Sequence, residues 1–123
     1  MDTQDTGPQK DNKPKTTPFD LPIHPSIPSA LPGLLPVRQN LGIGRADLAG
    51  LCNVSREHIR KIETVGTRAS VELQCKLIEI LHCSYIDLSL DYFGKNAKLW
   101  NERKDTLKKR FAIQRALEII KYA

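Results

Sequence analysis

From residue 33 onward one rhythm dominates the chain: apolar residues recur at spacings of three and four, and no long β-branched alternation occurs. That period predicts helices. A short one over about Leu34 to Leu41 tolerates Pro36 in its first turn. A second covers about Arg45 to Cys52. A third covers about Arg56 to Thr64, with Ser55 as its N-cap. A fourth runs from about Val71 to His82 behind Ser70, with Val71, Leu73, Leu77, Ile78, Ile80 and Leu81 as apolar positions. A fifth begins after Ser84, where Ser-Tyr-Ile-Asp is an acidic relative of the capping box, and Gly94 is a suitable stop for it. Residues 95–123 read as one long basic amphipathic helix. Leu107, Phe111, Ile113, Ala116, Leu117 and Ile120 form its apolar stripe, among Lys104, Lys108, Lys109, Arg110 and Arg115.

The rhythm is missing before residue 33. All eight prolines lie between Pro8 and Pro36. Proline fixes φ and removes an amide donor, so this segment builds neither a helix nor a central strand. Residues 1–32 are therefore read as a disordered Pro-rich arm, with the run FDLPIHPSIPSALPG extended. The fold class that follows is all-α: a compact five-helix domain over 33–94, an arm before it and a helical extension over 95–123.

Composition adds limits. The 123 residues are 40% hydrophobic, enough for one small core. No run of eighteen apolar residues occurs, and the N-terminus carries acids and no apolar stretch of a secretory signal. The expected location is the cytoplasm. Three cysteines without C-x-x-C spacing argue against a disulfide framework. The net charge of +5 is uneven: residues 1–32 carry −1, residues 33–90 carry +1 and residues 91–123 carry +5. Such an excess suits a polyanion, though charge by itself does not select one.

The link between the second and third helices is the most constrained stretch. Three residues, Asn53-Val54-Ser55, force a steep crossing. The crossing needs a small residue at closest approach, which Ala49 supplies. It needs a turn residue that accepts left-handed dihedrals, and Asn is second only to Gly there. It needs apolar residues to seal the angle, and Leu48, Cys52, Val54, Ile59 and Ile62 have the spacing. Together these conditions select a helix-turn-helix.

On these residues the sequence resembles a known family. GIGRADLAGLCNVSREHIRKIE is similar to the helix-turn-helix of the phage repressor and Cro type, the XRE family, at Gly42, Leu48, Ala49, Val54, Ser55, Ile59, Ile62 and Glu63. LIEILHCSYIDL resembles the exit of the family's fourth helix, with Leu81, Ser84, Asp87 and Leu88 in register, and Arg38 stands four before Gly42 as the family's first-helix arginine does. About residues 34–93 are covered. Gly44-Arg45 replaces the family's Thr-Gln, Thr64-Val65 replaces its Asn-Gly, and the last thirty residues have no counterpart in it.

The resemblance implies a lambda-repressor-like domain whose third helix enters the DNA major groove. Arg56 and Glu57 match the first two base-reading positions, and Arg60 and Lys61 are next in reach. Arg can bond guanine O6 and N7, and Glu can accept from cytosine N4. For Glu57 the rival role is a first-turn acid favoured by the helix dipole. Arg45, Ser55, Thr67 and Arg68 fall where the family contacts phosphates, which position a protein without carrying sequence information. Arg38 and Glu63 match a partly buried structural ion pair. Cys52, Cys75 and Cys83, with His58 and His82, suggest a metal at first sight. They lack zinc spacing, and the cysteines occupy positions the family fills with Leu, Leu and Val, so they are read as small core residues. No cofactor or metal is expected. No Ser-His-Asp or carboxylate constellation stands out, so the chain is not read as an enzyme.

The expected function is sequence-specific binding of double-stranded DNA by a bacterial, phage or plasmid regulator, in the repressor manner. A homodimer through the C-terminal helix is the expected assembly, because two-fold dimers reading paired half-sites are the common arrangement. Two alternatives stand beside it. One is an antitoxin-like adaptor that binds a partner protein, with DNA binding secondary. The other is sequence-blind nucleic-acid binding driven by residues 95–123.

Overall fold

A computed structural model describes residues 24–94 and 96–122. Six helices follow in order: α1 Leu34–Asn40, α2 Arg45–Cys52, α3 Arg56–Thr64, α4 Val71–Leu81, α5 Tyr85–Ser89 and α6 Ala97–Tyr122. Outside these helices the described residues form turns, an irregular segment over 24–33 and one isolated antiparallel bridge between Ser29 and Ala69.

The caps lie where local chemistry puts them. Ser55 accepts from the His58 amide and Ser70 from the Leu73 amide. Ser84 and Asp87 form a reciprocal capping box at the head of α5. Asn53 closes α2 in the left-handed region, at φ 58° and ψ 44°. The Val54 amide then bonds the Ala49 carbonyl at 3.0 Å. Leu48, Ala49, Cys52, Ile59 and Ile62 are buried in the angle between α2 and α3, and Val54 packs at its edge.

Five expectations are corrected. The fold reaches further toward the N-terminus than residue 33. Ser29 exchanges two backbone bonds with Ala69, Gln74 Nε2 donates to the Ile27 carbonyl, and Leu31 is wholly buried. The disordered arm expected over 1–32 is thus replaced over 24–32 by a segment tied to the domain through these backbone bonds and through buried Pro25 and Leu31, because a Pro-spaced chain can still bond through its remaining backbone groups. Residues 1–23 lie outside the described residues. Second, α4 ends at Leu81, since His82 takes the left-handed conformation that turns the chain. Third, α5 ends at Ser89, well before Gly94. Leu90 is extended there, which carries Tyr92 into the core, 1% exposed, where it stacks on Trp100 at 4.8 Å. Burial of a large aromatic outweighs the local stop signal. Fourth, Cys75 is exposed, while Cys52 and Cys83 are buried. Burial pushes the Cys52 and Cys83 thiols up, so both are held as neutral core groups.

The fifth correction concerns α6. Its apolar residues do not form one stripe. Trp100, Arg103, Leu107 and Phe111 face the domain, whereas Ile113, Ala116, Leu117 and Ile120 are exposed. At 100° per residue the two sets lie on roughly opposite sides of the helix. Nor is α6 a separate appendage: Leu107 belongs to the core and Asn40 Nδ2 bonds the Lys104 carbonyl at 2.9 Å.

What fixes α6 is a buried ion pair. Asp87 is wholly buried and receives Arg103 on both carboxylate oxygens, Nε at 2.8 Å and Nη2 at 2.9 Å. The Tyr92 hydroxyl and the Ser84 amide complete its shell, at 3.2 Å and 2.8 Å. Asp87 is therefore at once the cap of α5 and the anchor of α6. Gly33 allows α1 to meet this corner. Its amide bonds the Leu88 carbonyl at 2.9 Å, and a Cβ there would stand 2.1 Å from the Asp87 carbonyl oxygen. Arg103→Ala leaves a buried carboxylate without its cation and is expected to destabilise by about 3–5 kcal/mol in urea unfolding. An unchanged midpoint would contradict the anchoring role.

Candidate nucleic-acid interface

The exposed face of α3 is built from its first residues. The Ser55 cap fixes the helix start, and Ile59 and Ile62 turn inward. Arg56, Glu57 and Lys61 are then exposed and Arg60 half-exposed. Arg45, Arg56, Glu57 and Arg60 line one shallow hollow of about 280 Å³. A second hollow of about 520 Å³ adjoins it, lined by Arg38, Gln39, Gly44, Arg45, Ala46 and Arg56. Three guanidinium groups from two helices thus share one surface depression.

That depression also opens on the N-terminus of α2. Gly44 has no side chain with which to cap the helix. The first turn of α2 carries Asp47, whose Oδ2 would stand 3.6 Å from a Cβ on Gly44, so an acid already lies beside the first-turn amides together with Arg45. No side chain hydrogen-bonds the N-terminus of α2 as a cap. Gln39, exposed on α1, lines the same hollow. Its only sequence signal is its place next to Arg38.

Glu63 governs the arrangement from beneath. Its side chain is wholly buried and accepts from Arg38 Nε at 2.6 Å and Nη2 at 3.0 Å. Arg45 Nε adds a third bond at 2.7 Å. Arg38 Nη1 goes on to the Ile43 carbonyl at 2.8 Å. Three helices therefore meet on one carboxylate. Arg45, placed on phosphate by the sequence reading, is also part of this ion-pair cluster, and its side chain remains 27% exposed at the hollow.

Glu57 and Arg60 hold each other. Arg60 Nε donates to Glu57 Oε1 at 2.8 Å, and Nη2 to the other oxygen. This bonding holds the Glu57 carboxyl below its ordinary range and raises the Arg60 guanidinium. Arg60 also reaches Thr64 Oγ1 at 3.3 Å. A third role for Glu57, positioning Arg60, thus joins base contact and the helix dipole. The i,i+3 spacing of Glu57 and Arg60 carried that signal in the sequence.

The other expected contacts are spread more widely. Ser55 Oγ caps α3, and Ser55 is exposed. Thr67 is half-buried and its amide bonds the Lys61 carbonyl at 3.3 Å; Arg68 is exposed on the same α3–α4 loop. Neither lines the two hollows. Among the described residues no group of three His, Cys, Asp or Glu is placed to hold a metal ion, and no helix is long and apolar enough to cross a membrane.

No family model, curated protein or solved structure matches the chain.

The geometry sets a stability order. Arg38→Ala removes two of the three bonds to buried Glu63, and a loss of about 3–5 kcal/mol is expected. Arg45→Ala removes one bond from a partly exposed group and is expected to cost about 1–2 kcal/mol. Urea midpoints of the two variants check this, and an Arg38→Ala protein that melts like wild type would contradict it.

Proposed function

We propose that the chain is a sequence-specific DNA-binding regulator of transcription, acting as a repressor through a lambda-repressor-like helix-turn-helix. The observation that carries the reading is the α2–α3 pair. Its crossing is locked by left-handed Asn53 and by Glu63, and it presents Arg45, Arg56 and Arg60 on one exposed depression at the head of α3. That head is the part of a recognition helix that meets base edges. The width of a helix suits the major groove, and Arg56 has the reach and donor fork for guanine O6 and N7. Arg45, partly exposed at the head of α2, suits a backbone phosphate. Ser55, Thr67 and Arg68 would serve further phosphates at the two ends of α3, and Lys61 its flank. No cofactor enters this mechanism, and the bacterial cytoplasm is its proposed setting.

The adaptor reading has its own support. Ile113, Leu117, Ile119 and Ile120 are exposed on α6, away from α3, and such side chains suit a protein surface rather than a phosphate. The two activities occupy different faces and do not compete. Sequence-blind binding is the remaining rival, supported by the basic residues of α6.

Selection of bound DNA from a random pool, repeated with Arg56→Ala, tests the proposal. The wild-type chain is expected to enrich one motif, and Arg56→Ala to relax preference at one base pair by about 1–3 kcal/mol. A pool without enrichment overturns the specific-regulator reading. A motif unchanged by Arg56→Ala overturns the role of that residue.

A further inference from the structure

The apolar face of α6 changes sides along its length. In the first half the seam of Trp100, Arg103 and Leu107 packs on the domain, and Phe111 meets His82 at the end of α4. Continued at the same spacing, that seam becomes Gln114, Glu118 and Lys121. The apolar residues have moved away from it. Ala112, Ile113, Ala116, Leu117, Ile119 and Ile120 are all exposed, and together they span an arc of about 160°. The middle of the arc points roughly opposite to the seam.

The charges are ordered around this arc. At 100° per residue, Lys108 and Arg115 follow one margin within about 40°, and Arg110 and Lys121 follow the other. Lys109 stands at its N-terminal end. Glu118, the one acid of residues 108–121, lies on the seam side. Glu102 and Asp105 share the side of the arc only in the first half of α6, before the apolar residues turn outward. We propose that residues 108–121 are a docking helix for an anionic lipid bilayer. The helix lies in the plane of the headgroups, with the apolar arc turned down and a row of cations along each margin. Lipid docking on α6 goes beyond DNA binding and does not depend on it.

Three observations select a lipid surface as the occupant. The first is symmetry. A flat interface meets a helix with apolar residues below and a water line on either side. Lys and Arg at those lines keep their stems among apolar groups and reach headgroup phosphates. A protein groove would need acids along both of its lips, whereas an anionic leaflet supplies negative charge at every point. The second is sign. Residues 108–121 carry five cations and one acid, complementary to such a leaflet. The third is amount. The arc holds four large aliphatic residues, Ile113, Leu117, Ile119 and Ile120, each more than half exposed. That is too little to span or to anchor by itself, and a peripheral helix of this kind needs apolar burial and charge attraction together. Arg103 and Asp87 fix the first half of α6, so the domain comes to the surface with its seam side away from the lipid.

Co-sedimentation of the full chain with vesicles of phosphatidylcholine, and of phosphatidylcholine with phosphatidylserine, tests the assignment. The wild type is expected to pellet with the phosphatidylserine vesicles, to stay in solution with the neutral ones, and to be released as salt rises. Ile113→Ser with Ile120→Ser keeps every charge and is expected to weaken binding about a hundredfold. Arg110→Gln with Arg115→Gln keeps the arc and is expected to weaken it about tenfold or more. The emission of Leu117→Trp is expected to shift to the blue on anionic vesicles and to be quenched by brominated acyl chains. Ile113, Leu117 and Ile120 are exposed, so circular dichroism and melting of these variants in solution are expected to match the wild type. A wild type indifferent to phosphatidylserine overturns the proposal. Binding that survives either pair of substitutions overturns it as well. So does a Leu117→Trp emission already shifted to the blue without vesicles, the mark of an arc covered by protein.

Discussion

The carboxylate of Glu63 is the constraint on which the presentation of α3 depends. It is wholly buried, and a buried charge is tolerated only where its partners are close and numerous. Two arginines meet that requirement, one from α1 and one from α2. The consequence is geometric. Moving α3 against α1 or α2 by even one ångström lengthens a bond to an ion that water cannot reach. The end of α3 is pinned by electrostatics, its middle by Ile59 and Ile62, and its beginning by the Ser55 cap. The exposed head of the helix is therefore presented on a rigid base.

A second buried carboxylate does the same work for α6. Asp87 caps α5 and receives Arg103 of α6. Both clusters join segments distant in sequence, and both leave few buried lone pairs without a donor. One buried polar atom among the described residues lacks a partner, Gln74 Oε1, while its amide nitrogen bridges the Ile27 and Ala69 carbonyls. That bridge fastens the N-terminal segment to α4.

Much of this was legible in the chain. Helix starts were readable because Ser55, Ser70 and Ser84 cap by short-range chemistry, and the turn was readable because three linking residues leave few choices beside Asn53. What escaped the sequence was decided by tertiary burial. Gly94 is a sound stop, yet α5 ends earlier because Tyr92 must reach Asp87 and Trp100. Leu31 and Ile27 sit in a proline-rich segment whose composition suggests no order, and they are ordered by what they pack and bond against. On α6 the apolar residues were visible but their sidedness was not, since a list of apolar positions hides a rotation of the face. At the candidate interface the exposed residues of α3 were readable from period alone. The double duty of Arg45 was not, because it depends on where a side chain from another helix comes to rest.

The Glu57–Arg60 pair carries a consequence for how information is read. Each group is the other's partner before any ligand arrives. On the proposed reading, a duplex that engages one of them must release or accommodate the other. Preferences at neighbouring base pairs then cease to be independent. The best base at one step depends on what occupies the next, and a table of separate per-position weights misses the strongest operators. The free energy of recognition has a cross term, set by a bond that lies wholly within the protein.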